Sequence, residues 1–396
     1  MKLIAILSSE LKEGGGFNQS INAILQVQRL SKSFFDFEVI TTKKSNLFFL
    51  NQKKIISKYI KLSVIDRLIL FFIHSNIFKI FLSKFRIIAP FEKKLLNFNC
   101  DLVYFVSPDR ICFSFQKLNY IFSIWDLAHR DNPEFPEVRY FNEFSNRDYL
   151  YKFSLSKAYA IVVDSDLLAK KASFSYGVDI DRFIVMPFSP SPFIKKVKNN
   201  STAIFLKYDI KDNYLLYPAQ FWPHKNHIRI IQALNLIKTK NMRNVPSVIF
   251  IGSDKGNLNY IKNAIFESKL EKYVKILGFV PPDELGYFYQ NSMGVIMPTY
   301  FGPTNLPPLE AWLYGRPLIY SSHLSLQSKN AALYSDPDSA TDLAKAIIKI
   351  SDKKIKALLV KEGFKIIKSI NSDRYLSEKL LLDKICRFKS RSECWE

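Results

Sequence analysis

The chain reads as an α/β protein of two domains, each built on a parallel sheet. Three observations lead there. Apolar strand-like runs alternate with helical patterns in both halves, the signal of parallel α/β sheets. At 396 residues with 48% hydrophobic side chains, the chain can fill two large cores. Between 186 and 213, the run MPFSPSPFIKKVKNNSTAIFLKYDIKDN concentrates Pro, Ser, Asn and Lys, which marks a boundary. The expected division is an N-terminal domain over 1–190, a C-terminal one over 191–372, and a closing segment 373–396 whose residues 373–388 read as a helix rich in Leu and Lys.

The opening KLIAILSS predicts a short buried strand, and its apolar core is too short for a signal peptide. Next, EGGGFNQSINAILQVQRL gives a Gly loop and an amphipathic helix, a phosphate-cradling arrangement whose candidate contacts are Gly15 and Gly16. Gly14-Gly15-Gly16 does not complete Gly-x-Gly-x-x-Gly, because Gln19 stands where the third Gly belongs. The following strand ends at Thr41-Thr42-Lys43 without the acid that would hold an NAD ribose, so a dehydrogenase is disfavoured.

Residues 63–82 are oily, but Asp66, Arg67, His74 and Lys79 interrupt them, whereas a transmembrane span needs about 20 mainly apolar residues. The wider stretch 43–94 carries twelve Lys or Arg against only Asp66 and Glu92, interleaved with Phe71, Phe72, Phe78, Phe81 and Phe85. A basic, aromatic-rich surface suits anionic lipid headgroups, so an anionic membrane is an expected peripheral partner. The formal charge of +21 would also attract nucleic acid, and a composition rich in Lys, Ile, Asn and Phe is the bland source of it. Nucleic acid is disfavoured because no helix-turn-helix, zinc-finger or RNA-recognition signature is present. Cys100, Cys112, Cys386 and Cys394 have no zinc spacing and read as free thiols of a reducing, cytoplasmic compartment.

After the strand that ends the run IFSI comes Trp125-Asp126, then His129, which is open between a ligand-facing role and a satisfied loop histidine. A helix over 146–158 and a strand over 160–163 lead to Asp164-Ser165-Asp166. That triplet fits an Asp-x-Asp metal signature for a nucleotide diphosphate. Ser165 also reads as the N-cap of a helix over 167–175, with Asp166 offsetting its dipole, and this reading is the favoured one.

In the second half, YLLYPAQFWPHKNHIRIIQAL (214–234) is a strand, a Pro-containing loop and a helix with Ile228, Ile231, Ala233 and Leu234 on one side. Lys225 sits at the start of that helix. His224 and His227 are spaced for a metal but lack a third ligand nearby, so none is expected. Strand, loop, helix and strand recur over 273–298. The stretch 297–321, MPTYFGPTNLPPLEAWLYGRPLIYS, then runs from strand to loop to helix. Pro307 and Pro308 supply its first-turn geometry, and Gly315 and Pro317 end it. Glu310 is thereby expected in the first turn. The backbone N–H groups of Thr304, Asn305 and Leu306 are expected at a loop mouth where the dipole favours phosphate. A carboxylate beside that mouth can accept two vicinal hydroxyls, as a ribose presents them.

On these residues the chain resembles the retaining glycosyltransferases of family four, most tightly over 211–322. The family has the GT-B architecture, two Rossmann-like domains whose parallel sheets face a central cleft. Its Glu-x7-Glu signature is followed by Ala, a small residue or two, Gly and Pro. The second Glu matches Glu310, which the resemblance assigns to the nucleotide ribose. The first, which contacts the donor sugar, is Gly302 here, and Thr304-Asn305 replaces the usual Phe-Gly. Of the basic pair that grips the donor diphosphate, Lys225 (followed by the matching Asn226) is kept, and the Arg five positions earlier is Gln220. The resemblance further implies that the Gly15-Gly16 loop approaches the donor phosphates and that the backbone of Phe279 and Val280 runs beside the base. It places His129 toward acceptor or sugar, keeps the family's helical Arg at Arg147, and brings the last helix back to the first domain.

The implied activity is transfer of a hexose-type sugar from a nucleotide diphosphate sugar to a glycan or lipid-linked glycan hydroxyl, with retention, in bacterial surface polysaccharide synthesis. No cofactor or metal is implied beyond the donor itself. Lys225, Glu310 and His129 are the catalytic candidates. Gly15, Gly16, Gln220, Asn226, Phe279, Val280, Thr304, Asn305 and Leu306, with Glu310, are the donor-binding ones. Three readings compete: a metal-dependent GT-A transferase using Asp164 and Asp166, a GT-B sugar-nucleotide epimerase, and a non-catalytic sugar-nucleotide-binding protein.

Overall fold

The computed structural model describes residues 1–10, 15–31, 34–73, 80, 82, 84–192, 194, 201–210, 213–240, 245–302 and 304–395. Gly14, His74, Phe78, Lys79, Phe81 and, within the 186–213 boundary, residues 193, 195–200 and 211–212 lie outside these residues.

The strands are continuous apolar runs because both faces of each sheet are covered. Thus β1 (Lys2–Leu7) buries its last five residues, and β4 (Leu102–Phe105) is buried throughout. With β2 (Asp36–Thr41), β3 (Ser57–Tyr59), β5 (Asn119–Ser123), β6 (Ala160–Val163) and β7 (Phe183–Val185) they form a seven-stranded sheet in the order β3-β2-β1-β4-β5-β6-β7. A six-stranded sheet has the order β10-β9-β8-β11-β12-β13, made of β8 (Tyr214–Pro218), β9 (Ser247–Ile251), β10 (Val274–Gly278), β11 (Gly294–Met297), β12 (Leu318–Ser321) and β13 (Leu333–Ser335). The pairings in both sheets are parallel. In each, the strand order reverses beside the first strand of the unit, between β1 and β4 and between β8 and β11.

Two compact units result: Met1–His129 with Asn142–Pro187 and Asp373–Glu396, and Arg130–Phe141 with Phe188–Ser372. The segment Arg130–Phe141, which a single cut at 190 assigns to the first domain, packs in the second unit through aromatic contact. Phe135 lies 5.1 Å from Tyr300 and 5.4 Å from Phe301, centroid to centroid. The closing helix runs Lys353–Ser392, so the expected 373–388 is only its later part. Its early half meets the second core at Gly363, where a Cβ would fall 2.4 Å from the Trp312 indole. In the first unit Leu381, Ile385 and Phe388 are buried on one side, and Tyr159 donates its hydroxyl to the Lys384 carbonyl at 2.9 Å.

Two helix starts differ from expectation by a few residues. The helix expected at 146 begins at Glu143, after Asn142 in the left-handed region, and the one expected at 167 begins at Asp166. Ser165 caps the latter by accepting the Leu168 N–H at 3.3 Å.

In the basic stretch, both acids are turned inward and occupied. Asp66 closes a capping box with Ser63 at the start of helix Val64–Phe72 and also takes the Phe91 N–H at 2.8 Å. Glu92, wholly buried, accepts the N–H groups of Gln116, Lys117 and Leu118 at 2.7–2.9 Å. Among the described residues no helix is long and apolar enough to cross a membrane.

Candidate functional site

β8 and β11 lie side by side at the point where the strand order of the second unit reverses. Loops leaving the carboxyl ends of such a pair diverge, which opens a crevice. The loop after β8 first passes Gly252, where a Cβ would lie 2.3 Å from the Ala219 carbonyl, so only glycine admits that approach. It continues through a single 3₁₀ turn, Pro223–Lys225, and Asn226 at φ 57°, and helix His227–Thr239 follows. Lys225 therefore precedes the helix it was expected to start. Asn226 suits the left-handed position, which Asn visits more readily than most residues. Its Nδ2 donates to the carbonyls of Pro298, just after β11, at 3.0 Å and of Pro337, just after β13, at 2.9 Å, tying this loop to both.

Across the crevice, Lys225 Nζ donates to Asn305 Oδ1 at 3.3 Å. Asn305 stands at the N-cap position of helix Leu306–Leu313 and is the centre of a network. Its Nδ2 donates to the Gly302 carbonyl at 3.1 Å and to Tyr320 Oη at 2.7 Å. Its backbone N–H goes to Gln327 Oε1 at 3.0 Å, while Gln327 Nε2 donates back to its carbonyl at 2.8 Å. Of the three amides expected at the loop mouth, that of Asn305 is thus already engaged. Tyr320 and Gln327 were not foreseen, since a strand tyrosine and a short-helix glutamine carry no local signal. Thr304 is half-buried, and Leu306 packs into the core.

Glu310 is the fifth residue of its helix and so lies in the second turn, not the first. It is buried, and Tyr289 donates to its Oε2 at 2.6 Å. Burial pushes its carboxyl up to about 7, against the lowering effect of the Tyr289 hydroxyl and the Ser191 backbone. Tyr314 stacks on Tyr289 with centroids 5.6 Å apart. The tyrosine partner was missed because an aromatic on a helix reads as core. Gly302, at the missing-acid position, has φ +114°, and a Cβ there would fall 2.8 Å from the Asn305 side-chain amide.

Gln220 has both ends of its amide occupied, donating to Ser253 Oγ at 3.1 Å and accepting from Trp222 Nε1 at 3.2 Å. Gly278 at φ +69° turns the chain after β10, leaving Phe279 half exposed and Val280 buried. His227 is a core residue: its ring stacks on Phe221 at 4.4 Å, and burial pushes its pKa down to about 3. His224 faces elsewhere, with its Nδ1 on Glu137 and its ring stacked 3.9 Å from Phe301. Among the described residues no group of three or more His, Cys, Asp or Glu could hold a metal ion.

In the first unit, Gly15 opens helix Gly15–Ser31, and a Cβ on Gly16 would fall 2.7 Å from the Trp125 indole. Asp126 pairs with Arg147 at 2.6 Å; burial works to raise its pKa, but Arg147 and the Ala128 amide hold it below the usual range. His129 lies in the short helix Ala128–Asp131. It is wholly buried, 3.2 Å from Tyr176 Oη, with Phe144 and Tyr151 edge-on at 5.6 Å. Asp164 accepts the Ser165 hydroxyl at 2.9 Å.

Residues 201–365 match the family model for glycosyl transferases group 1. The chain is 24% identical over 199 residues to O-antigen chain mannosyltransferase B of Escherichia coli, covering 49% of this chain and 52% of that one. It is 25% identical over 208 residues to O-antigen chain mannosyltransferase RfbU of Salmonella typhimurium, covering 50% and 53%. The chain thus spans about half the length of the curated relatives it matches. Among solved structures, Anabaena HepE in complex with UDP-glucose superposes with a TM-score of 0.72 at 16% identity, over 96% of this chain and 99% of that one. WaaG, a glycosyltransferase involved in lipopolysaccharide biosynthesis, gives 0.66 at 14% identity, over 96% and 98%. The fold is GT-B.

Proposed function

We propose, for a chain whose residues 201–365 belong to the glycosyl transferases group 1 family, that it moves a hexose-type sugar from a nucleotide diphosphate sugar to an acceptor hydroxyl with retention of anomeric configuration. The observation that carries this reading is the meeting of Lys225 and Asn305 across the β8–β11 crevice, five residues before the buried Glu310. As the glycosidic bond lengthens, charge grows on the departing diphosphate, and a half-buried ammonium at that point lowers the barrier. Asn305 orients that ammonium, and Gln327 and Tyr320 hold Asn305, so little reorganisation is left for the transition state. Glu310 accepts ribose hydroxyls in place of the Tyr289 hydroxyl or beside it. The reaction draws on no cofactor other than the donor.

Two names support the sugar class. The relatives are mannosyltransferases of O-antigen chains, and the HepE structure holds UDP-glucose, so a hexose on a nucleotide diphosphate is the donor class proposed. The acceptor proposed is a glycan or lipid-linked glycan of bacterial surface polysaccharide, met at the cytoplasmic face of an anionic membrane. Support for the membrane lies in the stretch 43–94. With Asp66 and Glu92 buried, its exposed charged residues Lys43, Lys44, Lys54, Lys58, Lys61, Arg67, Lys84, Arg86, Lys93 and Lys94 are all basic. In the same stretch, helix Val64–Phe72 exposes Val64, Ile65, Leu68, Phe71 and Phe72. The Asp164–Asp166 metal reading is not favoured, because Ser165 caps a helix and donates to Asp164.

A thermal-shift series with GDP, UDP, GDP-mannose and UDP-glucose tests the reading. One nucleotide family should raise Tm with the logarithm of its concentration. A flat response across all four contradicts it.

A further inference from the structure

Glu137 lies in the short helix Pro136–Arg139, within the segment Arg130–Phe141 that packs in the second unit. Its Oε1 accepts the backbone N–H of His224 at 3.0 Å and also the ring Nδ1 of the same residue. The side chain is only 7% exposed, and Oε2 is buried without a hydrogen-bond partner among the described residues. Buried acceptors are ordinarily satisfied, so this oxygen calls for a donor.

Its surroundings restrict what that donor can be. The His224 ring stacks nearly parallel on Phe301, at 3.9 Å and 18°. The His224 carbonyl accepts the Tyr300 N–H at 2.9 Å and the Thr299 hydroxyl at 3.2 Å, so the acid is held between the loops after β8 and β11. In sequence, His224 adjoins Lys225 and Phe301 adjoins Gly302. Burial works to raise the Glu137 pKa, but the His224 ring and amide outweigh it and keep the group below the usual range, hence ionised at neutral pH. An ionised carboxylate repels phosphate and accepts from hydroxyls. A ligand whose diphosphate meets Lys225 would offer hydroxyls from the sugar attached to it.

We propose that Glu137 Oε2 accepts a hydroxyl of the donor sugar, so that an acid from a distant stretch of chain serves the subsite where Gly302 presents no side chain. The proposal rests on the nucleotide-sugar reading above. It also explains why a short segment between two parts of the first unit packs into the second: Phe135 anchors it on Tyr300 and Phe301, and Glu137 is the group it delivers.

The test is Glu137→Gln, which keeps an oxygen for His224 and turns the second acceptor into a donor at nearly unchanged volume. Titration calorimetry with GDP, GDP-mannose, UDP and UDP-glucose compares each bare diphosphate with its sugar conjugate. A lost charge-assisted hydrogen bond predicts that affinity for the bound nucleotide sugar falls about tenfold or more, while affinity for the matching bare diphosphate changes by less than about twofold. Equal loss for both makes Glu137 a brace for His224 and overturns the sugar contact, as does no loss for either. Should the Gln variant fail to fold, Glu137→Asp draws the oxygen back by one methylene and is read by the same split. If the wild-type protein binds none of the four probes, the nucleotide-sugar reading falls and this inference with it.

Discussion

Tyr289 donates its hydroxyl to Glu310 at 2.6 Å in a pair whose two side chains are both buried. Because burial pushes Glu310 up to about 7 from its ordinary 4.5, the folded protein without nucleotide binds this proton more tightly than the unfolded chain. The stabilising effect is therefore full below pH 4.5 and is lost as pH rises through about 7. A ribose that uses the carboxylate as acceptor would pull the proton off. Nucleotide affinity should accordingly rise between pH 6 and 8, by up to about tenfold per unit below the pKa, and Glu310→Gln should abolish that dependence and weaken binding about tenfold. Titration calorimetry across that range checks both. A variant with wild-type affinity and only slower turnover would remove the ribose role.

Gly302→Glu restores the family's acid on paper and should fail in practice. The backbone is at φ +114°, and a Cβ would sit 2.8 Å from the Asn305 side chain that orients Lys225. Strain of this kind costs about 1–3 kcal/mol, so denaturant melts should show a loss in that range and turnover should fall rather than rise. A stable, more active variant would mean that the loop adapts freely.

His227 sets a different pH dependence. Burial pushes its pKa down to about 3 from an ordinary 6.5, so the unfolded chain takes the proton more readily. Its contribution is full above pH 6.5 and is lost as pH falls toward 3, with a slope of about 1.4 kcal/mol per unit. Replacing it by Phe should make stability less sensitive to acid in that window. Parallel stability curves for wild type and variant would place the proton elsewhere.

The fold was legible because parallel sheets covered on both faces must be written as unbroken apolar strands, and β1, β6 and β11 are written that way. Lys225, Asn305 and Glu310 could be singled out because Pro, Gly and polar residues punctuate the loops that hold them. Their partners could not. Tyr289 and Tyr320 look like core aromatics, and Gln327 lies 22 residues from the Asn305 it braces. Glu137 lies 87 residues from His224, and nothing local in either stretch announces the pairing. His129 was open in the sequence, and Tyr151, Phe144 and Tyr176 pack around its buried ring.

Changing Lys54, Lys61, Lys93 and Lys94 to Glu tests the membrane proposal. Each basic residue near an anionic surface contributes about 1 kcal/mol, and these four are exposed. The variant should lose sedimentation with anionic liposomes while keeping its Tm. The exposed Phe71 and Phe72 should leave wild type a part of its binding that salt does not remove. Equal partitioning of wild type to neutral and anionic vesicles would return the charge to composition alone.

In the proposed reaction Lys225 is the cation that meets the departing diphosphate. Turnover of Lys225→Ala at saturating donor, against the affinity of the same variant for that donor, measures this most directly. An interaction that strengthens as the bond breaks predicts a kcat lowered about 100-fold or more with donor affinity weakened far less. An unchanged kcat, with the whole loss in donor affinity, would contradict it.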